Sequence, residues 1–395
     1  MALPDDFLSK LEFIHPKDIL ELLGKEDRPK LGTRWVLKNE IRPVDLYCYL
    51  GGRFGQPNGI QNFLRGDHSE NLIHWEWFLR CGEGFVTIQG LNFRTEVCIG
   101  GIGVTEADRE DFIQQLKADF AKYGQALGKV RTALEHWIEF VNPYKRLRRS
   151  VDTLMAELSA LGLDATRDSL PDLADEKDPG TLQTKWKEHA DKYSRAIGLC
   201  FGIRSMLPVM GEAFVNLLLY VLMKPDLRKD ERLRENAIRQ PIDIRIKSLS
   251  HNCIGFKQAP DYSSEPCKRY HSLVNERNDL LHGNVVVDKL RFNELYFYGK
   301  VPVFREYSTM WERSFGVARR SAGLEQVGDE LAVIDGLVEY LLSCLDDKIT
   351  DKIRRISETF ILGLSLDDGH LGILFSEQLF DFVPRFDAPE DRANA

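Results

Sequence analysis

Asn275-Glu276-Arg277-Asn278-Asp279-Leu280-Leu281-His282-Gly283 carries the strongest signal in the chain. It reads as the last turns of a helix that begins near Ser264 and is stopped by glycine, the residue that enters the left-handed conformation at a helix end without a Cβ penalty. Leu280 and Leu281 are its core anchors. At 100° per residue, Arg277 and His282 stand about 140° apart around the axis. Their side chains can flank one groove but cannot stack on one another. Asn278 and His282, four residues apart, share a face and can hydrogen-bond, which would orient the imidazole. His282 also lies in the final turn, where the negative end of the helix dipole favours a protonated ring. The Arg-to-His spacing alone is not distinctive, because Arg131 to His136 repeats it and Arg245 to His251 comes close. What separates Arg277 is the asparagine directly after it, the leucine pair and the glycine stop.

Cleaving RNA without a metal requires a base for the ribose 2′-hydroxyl, an acid for the leaving 5′-oxygen and positive charge on the phosphorane. Histidine can serve as base or acid because its pKa lies near neutrality. Arginine supplies permanent charge on a planar fork matched to phosphate oxygens. Arg-Asn-x-x-x-His at a helix end resembles the signature of the HEPN superfamily, all-helical domains of which many are metal-independent ribonucleases. The resemblance covers at most residues 191–358 and rests on the few residues quoted above.

That resemblance implies an endoribonuclease leaving 2′,3′-cyclic phosphate ends, with Arg277 and His282 catalytic, Asn278 supporting, and no cofactor or metal. In the family the site usually forms where two such helices face each other. One match of this quality is present, so a homodimer is implied. Such domains recur in bacterial toxins and anti-phage defence proteins, where an attached domain senses a phage-derived or protein trigger. Facing helices in the family often carry an acidic residue near the motif. Glu212, costly in the apolar run Met210, Phe214, Leu217, Leu218 unless paired, is the candidate partner for Arg277 or Asn278; the alternative places it at a helix edge in water. Two other functions stay open. One is a catalytically silent HEPN-like module binding a nucleotide, RNA or protein, with Arg277 and His282 holding phosphate or capping the helix. The other is a structural oligomerisation protein built on a helix over 113–141.

A chain of 395 residues suits two domains with a connector. Its net charge of −8 argues against broad adhesion to nucleic acid but is compatible with a confined basic cleft. The 7 cysteines are scattered, without Cys-x-x-Cys spacing or a Cys/His cluster, and read as reduced thiols in cores. Met1 to Asp6 has neither a basic start nor an apolar run, so no secretory signal is expected. Met206 to Met223, interrupted by Gly211 and Glu212, reads as a buried helix and not a membrane span. A cytoplasmic protein without a membrane partner follows as the expectation.

The fold expected is mainly α: a C-terminal HEPN-like helical bundle with a β-hairpin insertion, preceded by a small mixed or β-rich N-terminal domain and a long helical connector. The boundaries are 1–105 for the N-terminal regulatory or sensor domain, 106–190 for the connector with an acidic linker, 191–358 for the helical domain and 359–395 for a tail. In the first part, an amphipathic helix (Leu8 to Leu23) precedes strand-like runs at Trp35–Leu37, Leu46–Leu50 and Phe85–Ile88, between glycine turns such as Gly51-Gly52. Ile113, Leu116, Phe120, Tyr123, Leu127, Val130, Leu134, Trp137 and Val141 then form a heptad seam ending at Pro143. Its aromatics, with Gly124 and Gly128, favour a long helix packed on its own domain over a coiled coil.

A basic group at 145–149 opens the next helix, and the acidic stretch 164–182 reads as a linker. A helix follows over Ser194–Lys224, with bends at Pro208 and Gly211. Residues 290–307 alternate around Gly299-Lys300 as a hairpin. One helix is expected over Asp329–Ile356, and strand-like steps after Phe360. His68, His74, Trp75 and Trp77 around Glu76 suggest either a base-stacking pocket or, more in keeping with alternation along a strand, core. The basic stretch 228–239 is interleaved with acids and reads as a solvated face.

Overall fold

The computed structural model describes residues 3–4, 6–24, 30–64, 71–92, 94–164, 178–284, 294–303 and 310–375. His68 and most of the expected acidic linker lie outside them. The fold is mainly α with an antiparallel sheet in its N-terminal part. Contacts divide the chain into two units, one built on residues up to His136 and one spanning Trp137–Ile373.

The first unit contains β1 (Leu11–Phe13), α1 (Pro16–Gly24), β2 (Leu31–Leu37), α2 (Pro43–Phe54), α3 (Gln61–Leu64), β3 (Ile73–Cys81), β4 (Gly84–Leu91), β5 (Thr95–Gly100), α4 (Arg109–Phe120) and α5 (Gly124–Thr132). The strands pair antiparallel in the order β1-β3-β4-β5-β2. Trp35, Trp77, Leu79, Val86, Ile88, Val97 and Ile99 bury one apolar face against Leu46, Tyr49 and Leu50 of α2 and Phe112 and Leu116 of α4. The run Leu46–Leu50 is therefore helix, not strand: Pro43 starts it, and its apolar side chains reach the sheet at helical spacing. Gly51-Gly52 lies inside this helix, against α5, and makes no turn. The expected helix at 8–23 gives its first residues to a 3-10 turn and β1 before α1 begins.

Trp77 is core, and Glu76 is buried beside it, accepting from the Gln61 amide at 2.9 Å and from Gln89 Nε2 at 2.6 Å. Trp75 packs half-buried against the same core and His74 is half-buried beside it. The expected continuous helix over 113–141 is also absent. The seam breaks into α4, a 3-10 turn at Ala121–Tyr123 and α5, and its last members become a strand of the second unit.

The second unit comprises β6 (Trp137–Val141), α6 (Pro143–Ala160), α7 (Pro179–Leu222), α8 (Pro225–Lys229), α9 (Glu231–Arg239), α10 (Ile242–Asn252), α11 (Glu265–His282), β7 (Tyr296–Tyr298), β8 (Val301–Val303), α12 (Met310–Ala322), α13 (Val327–Ser343), α14 (Asp347–Glu358), β9 (Ile361–Ser365) and β10 (Leu371–Gly372). Helix α7 is the axis. Ile203, Leu207, Met210, Phe214, Leu217, Leu218 and Val221 are buried along it, with α6, α10, α11, α13 and α14 contributing to the same core. Its apolar stretch is thus mostly buried, as expected for a core helix.

Helix α7 is 44 residues long and starts well before Ser194. Asp178 accepts from the Gly180 and Thr181 amides, with Pro179 at the first position, a strong start. The helix continues through Pro208. The helix expected over 329–356 is two, α13 and α14, separated at Asp346, and α12 precedes them unforeseen. The strand-like tail does pair, as β9 with β6 (Val141 opposite Ile361) and with β10. The hairpin forms as β7–β8 with Gly299-Lys300 at its turn, while Leu290 and Phe292 lie outside the described residues.

All seven cysteines are free, six of them buried. Burial pushes the Cys200 thiol up to about 11 and that of Cys253 to about 12, so neither is a ready nucleophile. Arg148 of the basic group in α6 pairs with Asp152 and Asp335, and Lys145 with Glu358, so these cations serve the bundle.

Candidate functional site

Helix α11 begins after Ser264, with Pro266 in its first turn, and ends where Gly283 takes φ 62°. The Gly283 amide donates to the Asp279 carbonyl, and the Asn284 amide donates to the same oxygen at 3.0 Å. The terminus read from the sequence is the terminus formed, and it fixes where His282 emerges. Upstream, Tyr270 anchors the helix. Its hydroxyl donates to the Pro208 carbonyl at 2.9 Å, and its ring lies so close to Gly211 that a Cβ there would sit 2.6 Å from Cε2. Burial pushes the Tyr270 hydroxyl pKa far up, so it stays a neutral donor.

Arg277 lies two turns after Tyr270, on the same face, and so points toward α7. It is half-buried, with Nε shielded from solvent and without a hydrogen-bond partner. It makes no ion pair among the described residues. Asn278 and Leu280 are half-buried and His282 is exposed; Leu281, expected as a core anchor, is 46% exposed and lies outside the core. No hydrogen bond joins Asn278 to His282, so the orienting contact allowed by their spacing is not made. The structure therefore brings Arg277, Asn278 and His282 to one helix end but does not couple them.

Glu212 is placed elsewhere. Its carboxylate pairs with Arg245 of α10, whose NH1 also donates to Asn216 at 2.6 Å. Because α7 and α11 run antiparallel, with Gly211 against Tyr270 and Arg204 near Glu276, Glu212 sits level with Tyr270 and about two turns short of Arg277. Its side chain keeps 34% exposure, so water and the buried Arg245 together meet its cost in the apolar run.

The residue missed by sequence reasoning is Arg204. Its Nε and NH2 grip both carboxylate oxygens of the buried Glu330 on α13, at 2.8–3.0 Å, and NH2 lies 3.6 Å from Glu276, the neighbour of Arg277. This pair ties α7, α11 and α13 together beside the motif. A charge at position 204 of an apolar helix was the available signal.

An acidic groove of about 320 Å³ between α11 and α13 is lined by Arg269, Ser272, Glu276, Gln326, Asp329 and Glu330. Neither Arg277 nor His282 lines it. Chemically, the helix end offers an arginine without a counter-ion among the described residues, suited to a phosphate, and an accessible imidazole. One chain supplies one of each. Among the described residues, no three His, Cys, Asp or Glu side chains gather as around a metal ion. No protein-family model, curated protein or solved structure matches this chain.

Proposed function

We propose that this chain is a metal-independent endoribonuclease of the HEPN type, acting as a homodimer in which two copies of the α11 terminus face each other. The observation that carries the reading is Arg277: its Nε is shielded on the inner face of α11 and it has no carboxylate partner among the described residues, five residues before an exposed histidine at a glycine-capped end. An arginine left unpaired beside a helix bundle is available to an anionic ligand.

In the reaction proposed, one imidazole takes the proton of the ribose 2′-hydroxyl as its oxygen attacks phosphorus. The P–O5′ bond breaks, and a second, protonated imidazole delivers a proton to the leaving 5′-oxygen. Arg277 stabilises the phosphorane charge. One His282 per chain cannot hold both proton roles at once, which is why the reading needs two chains. Exposed Phe201 and Leu281, near this end of the paired helices, supply apolar surface for such an interface. A role as a toxin or anti-phage effector, restrained or triggered through the N-terminal unit, belongs to the same proposal.

The second reading is a non-catalytic HEPN-like module that binds a nucleotide, RNA or protein. It is favoured by one observation: no described side chain orients the His282 ring. Incubating the purified chain with total RNA and a tRNA pool in EDTA, beside His282→Ala, separates the two. Cleavage by the native chain alone supports the enzyme. Equal cleavage by both removes His282 from the chemistry and sinks the reading. If neither cleaves, toxicity on expression that vanishes in His282→Ala favours a gated enzyme, and its absence favours the binding module.

A further inference from the structure

The hairpin β7–β8 is the most exposed apolar element among the described residues. Leu295, Tyr296, Phe297, Tyr298, Val301 and Val303 all face solvent, from 49% exposed at Leu295 to 84% at Tyr298. The register pairs Tyr296 with Val303 and Tyr298 with Val301 on one face, and Phe297 with Pro302 on the other. Both faces are therefore apolar, unlike an ordinary hairpin laid over a core.

Three features select the occupant. The two-residue turn makes Tyr298 and Val301 the closing hydrogen-bonded pair, so the peptide groups of Phe297 and Pro302 point outward. Pro302 has no N–H, which denies the outer edge of β8 to an added strand. Extension of the sheet by a second copy or a peptide is thus blocked on that side. Second, Tyr296 and Tyr298 stand side by side on one face, about 7 Å apart along the strand, the right order for successive bases of an extended single strand. Aromatic rings on an exposed sheet are what unpaired bases stack on. Third, Lys300 sits in the turn two residues after Tyr298, so a cation for a phosphate follows the rings along the chain. The Tyr296 hydroxyl donates to Glu294 at 3.0 Å, which fixes its ring edge and leaves the face free.

We infer that the β7–β8 hairpin is a stacking platform for single-stranded RNA, with Tyr296 and Tyr298 holding neighbouring bases and Lys300 their phosphate. The inference rests on the ribonuclease reading for its choice of RNA, and it assigns that enzyme unpaired substrates.

The test uses the full chain carrying His282→Ala, so that RNA survives the titration, and fluorescence anisotropy with a short labelled RNA, single-stranded or annealed to its complement. The single strand binds more tightly than the duplex. Adding Tyr298→Ala or Tyr296→Ala weakens it about tenfold, with unfolding temperatures unchanged. Tyr298→Phe keeps the affinity, while Tyr298→Leu, apolar but not planar, loses it. Affinity indifferent to Tyr298→Leu and Tyr298→Ala overturns the inference. So does a monomer–dimer equilibrium that shifts with these substitutions while RNA affinity does not. If the hairpin variants lose RNA but the native chain never cleaves it, the platform stands and the ribonuclease reading falls. If the native chain cleaves and the hairpin variants bind and cleave as well as it does, the platform alone falls.

Discussion

Replacing Arg204 with alanine should damage the second unit more than any single change at Arg277 or His282. The Arg204 and Glu330 side chains are only 15% and 10% exposed, and the guanidinium contacts both carboxylate oxygens. Removing one partner of a buried pair leaves the other charge without compensation, at about 3–5 kcal/mol. Residual exposure lets some water reach Glu330, which puts the expectation near the lower end, about 3 kcal/mol. For a unit of this size that lowers Tm by roughly 6–12 °C. The companion variant Arg204→Met with Glu330→Leu removes both charges for apolar groups and should recover most of the loss, because desolvation of the pair disappears with it. Differential scanning calorimetry on the full chain, following the transition that Arg204→Ala moves, reads both. A loss under about 1 kcal/mol, or a double variant no better than Arg204→Ala, would refute the picture of a buried, mutually dependent pair.

Further outcomes are expected. His282→Ala should leave Tm unchanged, since the ring is exposed and makes no hydrogen bond among the described residues, while abolishing RNA cleavage in EDTA. Gly283→Ala forces a Cβ into the left-handed region at φ 62° and should destabilise the end of α11 by about 1–2 kcal/mol, read by urea unfolding or by faster amide exchange at Leu281 and His282. Burial lowers the pKa of His370, assisted by Lys352 and Arg228, so its folded value lies below its unfolded one. Its contribution is full above about pH 6.5 and is lost as pH falls through the folded value. A His370→Gln variant should accordingly lose less stability than the native chain between neutral and mildly acid pH, and an identical pH profile would contradict this.

Local signals survived into the structure, and distant ones did not. The end of α11 was legible because its cause, a glycine after a helical run, lies within one turn of its effect. The hairpin turn at Gly299-Lys300 was legible for the same reason. Asp178-Pro179 was an equally local start signal for α7, but it sits among prolines and aspartates that read as linker. Trp137 and Val141 continued a heptad seam only by coincidence of spacing. What makes them strand is β9, whose Ser365 and Ile361 pair with them across more than two hundred residues of chain. The partners of Glu212 and Arg204 were invisible for a related reason. The need for a counter-charge can be seen in one helix, but the residue that answers it lies on another.

Helix α7 has a mechanical consequence. At 1.5 Å per residue its 44 residues make a rod of about 66 Å, and no side chain before Tyr193 is buried. The end at Pro179 is a handle about 38 Å from the level of Arg204, braced where Trp186 and Tyr193 pack on Phe315 of α12. Because the helix is unbroken, a pivot of about 5° near Arg204 sweeps that handle by about 3 Å. The converse also holds: a partner gripping the handle works on the clamp beside Arg277 at long leverage, where a modest sideways pull becomes a large torque on the contacts that seat α11.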